Sequence, residues 1–215
     1  MVKAVIFDLD GTLIDTIEEL ANASNYALTR LGFPTWDISD YRGFVGNGIT
    51  RLLLRSLPED KQDYIDEARA LFNEYYTEHV LDTTPAYDGI MELVEELRRR
   101  GLPMAVNTNK AQPFAEAIAN KVFPGVFVEV IGDEGGYERK PAPDAALHLA
   151  EKMGAEPSEC IFMGDSTVDL ETAENAGMIS VLCSWGFAYK EVLQKLDYEN
   201  LIDHPSELIG IMDKY

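Results

Sequence analysis

Cysteine is scarce in this sequence: Cys160 and Cys183 are the only two in 215 residues. Each lies beside an apolar, strand-like run, so both read as buried free thiols, and a reducing, cytoplasmic setting is expected. Positive charge is also in short supply, with 18 Lys and Arg against 38 Asp and Glu and a formal charge of −20. Nucleic acid and anionic membrane surfaces need a cationic face, so neither is expected as a partner. No segment approaches the ~20 apolar residues of a membrane span, and the opening residues enter a strand with no signal-peptide pattern. The three histidines, His79, His148 and His204, stand apart from one another and read as surface or helix-face residues. No His-Glu-x-x-His or paired Cys-x-x-Cys pattern points to zinc. A Gly-x-x-x-x-Gly-Lys phosphate loop and a Gly-x-Ser-x-Gly nucleophile elbow are missing too. Asn22-Ala23-Ser24 matches a glycosylation sequon but falls inside a helical pattern and reads as chance. There are no internal repeats or low-complexity segments.

What the chain does have is concentrated first at its amino terminus. A short run rich in β-branched and aromatic residues, 5–7, reads as a buried strand. It ends in Asp8 and Asp10, separated by one residue and followed by Gly11. Alternation along an extended chain points both carboxylates the same way, and like charges side by side repel. A hard divalent cation such as Mg²⁺ would explain the pairing, because it prefers oxygen ligands. Gly11 permits a tight turn whose amides can approach an anion. Taken alone, the stretch reads equally well as a strand followed by a solvated acidic turn.

From 16 to 31 apolar positions recur at helical spacing, with Asp15 or Thr16 as N-cap and Gly32 and Pro34 as the stop. Further helical segments are expected over 44–57, broken at 46–48, and over 60–80, with no strand between 16 and 81. From residue 85 the rhythm becomes alternating. Helices are expected over 88–100, 112–123, 143–153 and 169–176, and strands over 103–107, 126–131, 161–163 and 179–182. Two weak helices flank a short strand at 201–202. Short apolar strands alternating with amphipathic helices require a parallel sheet covered on both faces. The expected organisation is an α/β core domain, residues 1–14 and 84–215, with an all-helical unit, 15–83, inserted after the first strand.

Ligands of open α/β sheets bind at the carboxyl ends of the strands. Three expected strand ends carry something beyond routine turn chemistry: Asp8 with Asp10, then Thr108, then Asp165. Between the last two lies Lys140 in an Arg-Lys-Pro-Ala-Pro stretch whose prolines restrict the backbone. Each feature alone is ordinary, since a threonine after a strand is usually a cap and a lysine beside proline is usually solvated. Their appearance in order, at successive strand ends, is not.

Asp8-Leu9-Asp10-Gly11-Thr12, Thr108, Lys140 and Gly164-Asp165-Ser166-Thr167-Val168-Asp169 together resemble the four motifs of the haloacid dehalogenase superfamily. The resemblance covers essentially the whole chain. It implies a Rossmann-like core with the helical insertion as a cap domain, and the Asp-x-Asp-Gly-Thr form is that of the phosphatases. By the same resemblance Asp8 is the nucleophile, forming an aspartyl-phosphate, and Asp10 is the general acid and base. Mg²⁺ would be held by the carboxylates of Asp8 and Asp165 and the backbone carbonyl of Asp10. Thr108 and the amides around Gly11 would bind the phosphoryl group, and Lys140 would neutralise it together with Asp8. Asp169 would stand behind these, holding a metal-bound water or Lys140. Its plain structural alternative is a carboxylate favoured by a helix N-terminus.

The insertion should choose the substrate. Its stretch 41–51 holds Arg42, Arg51 and a glycine-flanked Asn47. It reads either as a loop closing over the site, with an arginine meeting a substrate carboxylate, or as a helix–helix turn with solvated arginines. With Thr108-Asn109-Lys110, and more loosely Trp185-Gly186-Phe187, it resembles the phosphoglycolate phosphatase subgroup. That makes Asn47, Arg51, Asn109 and Lys110 candidate substrate contacts. Pyrophosphatases, sugar or nucleotide phosphatases and a β-phosphoglucomutase are neighbours on the same scaffold. The mutase branch usually has valine at the position of Thr12 and lacks the Thr-Asn-Lys run. Outside enzymes, a phospho-accepting receiver module also uses Asp, Thr and Lys with Mg²⁺, but its acidic pair and acceptor lie on different strands and it has no helical insertion. A binding protein on this fold would be expected to lack a motif residue, and none is missing. The expected partner is a small phosphorylated substrate, and the expected state a monomer or homodimer.

Overall fold

The structure, a computed structural model, describes residues 1–46, 48–82, 84–188, 190–195, 198 and 200–215. The chain forms two compact units, Met1–Asp15 with Pro85–Tyr215, and Thr16–Thr84. The first begins with β1 (Ala4–Phe7), an apolar run buried at every position. A strand so placed must have neighbours on both edges and layers on both faces, which is why it carries no polar alternation.

The helical unit follows. Its α1 (Ile17–Arg30), α2 (Ile49–Ser56) and α3 (Ile65–His79) are joined by 3₁₀ turns at Ile38–Gly43 and Glu59–Tyr64. Its core gathers Leu28, Tyr41, Leu53, Phe72 and Tyr76, all 0–1% exposed. Two expected helices are shorter than the periodicity implied. The segment 44–57 is helical only from Ile49, because Gly48 sits at φ 82, outside the right-handed helical region. The expected helix over 60–80 opens as a 3₁₀ turn with Lys61 at φ −123, and only then becomes α3. The Gln62 amide donates to the carbonyls of Leu54, Leu57 and Pro58 at 3.0, 3.3 and 3.2 Å, satisfying groups an α-helix would have used. Thr16, at the N-cap of α1, makes no side-chain capping bond.

The first unit then resumes with α4 (Ile90–Arg99), β2 (Met104–Ala111), α5 (Gln112–Val122), β3 (Phe127–Asp133), α6 (Asp144–Lys152), β4 (Cys160–Gly164), α7 (Thr167–Ala176) and β5 (Ile179–Cys183). It ends with α8 (Lys190–Gln194), β6 (Leu201–Ile202) and α9 (Glu207–Met212). The strands make one parallel six-stranded sheet in the order β3-β2-β1-β4-β5-β6. Ile6, Ala105 and Phe162 from neighbouring strands pack with Ala145, Ala146, Leu149 and Ala173 from helices to form one face's core. β2 runs four residues beyond the expected Asn107, carrying Thr108, Asn109 and Lys110 in extended form with a register shift against β3. The apolar run stops at 106, but a strand continues wherever its neighbour keeps pairing, and β3 does so as far as Asp133. Connections diverge on either side of β1: β2 and β3 lie to one side, β4 to β6 to the other. Such a switch point opens a crevice at the carboxyl ends of β1 and β4.

Candidate active site

Asp8 follows β1 directly, and its carboxylate is fixed through one oxygen. The Leu9 amide donates to Asp8 Oδ1 at 2.7 Å, and Lys140 Nζ lies 2.9 Å from the same atom. Among the described residues Oδ2 accepts nothing. Lys140, 6% exposed, also pairs with Asp169 Oδ1 at 2.5 Å and lies over the Phe162 ring, 5.6 Å from its centre. The other Asp169 oxygen accepts from the Asp165 amide (3.2 Å), the Ser166 amide (3.0 Å) and the Ser166 hydroxyl (2.6 Å). Ser166 is the N-cap of α7, and its hydroxyl accepts from the Asp169 amide in return, a reciprocal capping box. So Asp169 combines the helix-terminal role with a grip on Lys140.

Asp165 follows β4 directly and is held by parts of the chain remote in sequence. The Phe187 amide donates to its Oδ2 at 2.6 Å, leaving Oδ1 without a hydrogen bond among the described residues. Gly11 and Gly186 press against it. A Cβ on Gly11, whose φ is +82, would come within 2.5 Å of Asp165 Oδ2, and one on Gly186 would collide with Asp165 Cβ and the Gly11 carbonyl. The Trp185 indole donates to the Thr12 carbonyl at 3.1 Å, tying the β5 loop to the β1 loop. This loop is the part of the site that motif reading reached least well. Its signal was a glycine between two aromatics after a strand, which is weak without the third dimension.

On the β2 side, Thr108 is buried and its hydroxyl accepts from the Lys110 amide at 3.3 Å. Asn109 turns its carboxamide to the main chain of Lys140, accepting from Lys140 N at 2.9 Å and donating to Lys140 O at 3.2 Å. Lys110 Nζ meets both oxygens of Asp10, at 3.0 and 3.1 Å. Asn107, unremarked in the motif reading, is 3% exposed, and its Nδ2 has no hydrogen-bond partner among the described residues. Strand register sets it beside Asp8, since Phe7 pairs with Val106. Arg51 is exposed on α2 and Arg42 half-buried in the helical unit. Asn47 lies outside the described residues. Both cysteines are buried and free. Burial pushes the Cys160 thiol up to about 11 and Cys183 well above the usual range.

Electrostatics at the centre are unbalanced. Three carboxylates, Asp8, Asp165 and Asp169, bring ligand atoms within 4.8 Å of one another, and Lys140 is ion-paired with two of them, Asp8 and Asp169. Burial, and secondarily the Asp169 charge, pushes Asp8 up to about 6 against the pull of Lys140. Burial with the charges of Asp169 and Asp8 pushes Asp165 up to about 8. Burial works against the Lys140 charge, but Asp169 and Asp8 outweigh it and hold the ammonium above its ordinary range. With all three carboxylates ionised, one ammonium would leave two negative charges uncompensated, which is why protons are retained there without a cation. An all-oxygen donor set with that deficit suits a hard divalent cation. Both Asp169 oxygens are engaged by protein donors, whereas Asp8 Oδ2 and Asp165 Oδ1 are open.

The haloacid dehalogenase-like hydrolase family profile matches residues 2–177. The chain belongs to that family. A phosphoglycolate phosphatase of Vibrio parahaemolyticus is 32% identical, with 98% of this chain and 96% of the relative aligned. Another, of Aquifex aeolicus, is 30% identical over 99% and 98%. Among solved structures, a Lactobacillus delbrueckii protein provisionally named a phosphoglycolate phosphatase superposes with a TM-score of 0.91 at 30% identity, covering 98% of each chain. These matches place this haloacid dehalogenase-like hydrolase among phosphoric monoester hydrolases, on the six-stranded parallel fold described above.

Proposed function

We propose that the protein is a Mg²⁺-dependent phosphatase that hydrolyses a small phosphate monoester, 2-phosphoglycolate, through an aspartyl-phosphate on Asp8. The observation that carries this reading is the division of labour between the two Asp8 oxygens: Oδ1 is held by Leu9 N and Lys140, and Oδ2 accepts no hydrogen bond among the described residues, in a carboxylate clustered with Asp165 and Asp169. The substrate assignment is supported by the names of relatives aligned end to end with the chain.

In this mechanism Asp8 Oδ2 attacks phosphorus as the ester P–O bond breaks, and Asp10 hands its proton to the departing alkoxide oxygen. Asp10 then takes a proton from the water that attacks phosphorus, inorganic phosphate leaves, and the Asp8 carboxylate is regenerated. The Thr108 hydroxyl and the amides near Gly11 hold phosphoryl oxygens, and Lys140 keeps Asp8 Oδ1 neutralised throughout. Asp8, Asp165 and the Asp10 carbonyl would hold Mg²⁺, which would supply the charge neutralisation an anionic carboxylate needs to approach an anionic ester. The helical unit Thr16–Thr84 serves as the cap that closes out water, and Arg51 and Asn47 are its candidate substrate contacts. The enzyme works in the cytoplasm as a monomer or homodimer.

A steady-state screen with Mg²⁺ over 2-phosphoglycolate, pyrophosphate and glucose phosphates tests the reading. The expected result is the highest kcat/KM on 2-phosphoglycolate, with phosphate release abolished by Asp8→Asn. Equal or better turnover of pyrophosphate would overturn the substrate assignment.

A further inference from the structure

The ion pair between Lys110 and Asp10 is at odds with the work assigned to Asp10. One ammonium, with its side chain 3% exposed, sits 3.0 Å from one carboxylate oxygen and 3.1 Å from the other. An acid–base residue must present an oxygen to the leaving group and then to water. Here both oxygens face the same cation. The Lys110 side chain is 3% exposed, so its ammonium cannot exchange Asp10 for bulk water without leaving its buried position. An ammonium that is buried gives up one carboxylate only in exchange for another anion.

We propose that Lys110 parks Asp10, and that the substrate's own second anion releases it by taking over the ammonium. The inference rests on the phosphatase reading above and deepens it. The substrate class becomes phosphate esters carrying an anionic group on the carbon next to the ester oxygen. In such a molecule the competing carboxylate and the ester oxygen arrive together, so the exchange frees the Asp10 carboxylate to take up a proton from solvent and then to give it to the ester oxygen beside it. The second anion then acts on the chemical step and not merely on binding, which is the way a contact raises kcat. An ester with an uncharged tail leaves Asp10 paired and reacts slowly even when saturating.

Ethyl phosphate and 2-phosphoglycolate share the two-carbon skeleton and differ in the carboxylate, so they are the probes. With the full-length, Mg²⁺-loaded wild type, kcat on 2-phosphoglycolate is expected to exceed that on ethyl phosphate by about 10-fold or more. Lys110→Met removes the clamp. Its kcat on ethyl phosphate should rise by about 3-fold or more, while kcat/KM on 2-phosphoglycolate falls by about 10-fold or more, chiefly through KM. Lys110→Arg keeps a cation and should retain the wild-type ratio of kcat values within about 3-fold, which also controls for misfolding. Parallel loss on both esters in Lys110→Met, with Lys110→Arg still active, would show a merely structural pair and overturn the proposal. Wild type that releases phosphate from neither ester would sink the phosphatase reading and this one with it.

Discussion

Asn109 shows how little a single side chain's chemistry reveals by itself. Beside Thr108 and Lys110 it reads as a substrate contact, yet both ends of its carboxamide are bonded to the main chain of Lys140, 31 residues on. Its work is to fix the backbone from which the ammonium reaches Asp8 and Asp169. Asn109→Ala would strand two polar main-chain groups at a partly buried position, at a cost of about 1–3 kcal/mol. It should lower kcat more than it raises KM, because Lys140 acts on the nucleophile. Denaturant titration and steady-state kinetics on the same preparation check both, and a change in KM alone would return Asn109 to the substrate. The aspartates were more legible than this. Asp8 and Asp165 each follow a short apolar run, ordinary singly but informative together at the ends of successive strands. The pairing of Lys110 with a carboxylate 100 residues away could not be read from composition or spacing. Nor could the Asn107 carboxamide, whose Nδ2 has no partner among the described residues, in a strand where the pattern calls for another apolar residue.

Elements were legible where periodicity was long and their ends were not. Every expected strand of the parallel sheet is present, and α4 buries the stripe Ile90, Leu93, Val94 and Leu97 that its spacing required. Ends shifted where tertiary partners took over from local preference. β3 draws β2 through three polar residues, and Gln62 satisfies carbonyls that would otherwise have extended a helix. Helix α7 is the element on which site and fold depend together, since its capping box supplies Asp169 to Lys140. Ser166→Ala removes the hydroxyl that caps the helix and steadies Asp169. It should cost about 1 kcal/mol of stability, read as a lower denaturation midpoint, with a several-fold loss of kcat that Ser166→Thr restores. Full activity with lowered stability would confine Ser166 to capping.

At the scale of the molecule, the excess of negative charge and the carboxylate cluster act in the same direction. Asp165 is raised from 3.8 to about 8 and Asp8 to about 6, so the metal-free native state holds protons that the unfolded chain has released. Where the native state binds more protons, stability falls as pH rises. For Asp165 the contribution is fully present below pH ~4 and is lost on passing through pH ~8. A bound cation takes the place of those protons, so Mg²⁺ should raise the thermal midpoint far more at pH 8 than at pH 5, at matched ionic strength. Stabilisation equal at both pH values would show that the cation does not bind at these carboxylates. The sheet order and its switch point bring the strand-end residues to one crevice, and that convergence was foreseeable from the alternation of strands and helices. The grip of the 185–187 loop on Asp165 was not, because it joins β5 to β4 and β1 through an amide and two close-packed glycines.

The account depends on Asp8 Oδ2 becoming bonded to phosphorus. Acid quench during steady turnover of 2-phosphoglycolate with Mg²⁺, followed by borohydride reduction, converts an aspartyl-phosphate into homoserine, which peptide mass spectrometry locates. Homoserine at position 8, dependent on both substrate and Mg²⁺, is the predicted result. Turnover without it, or homoserine at position 10 instead, would contradict the mechanism.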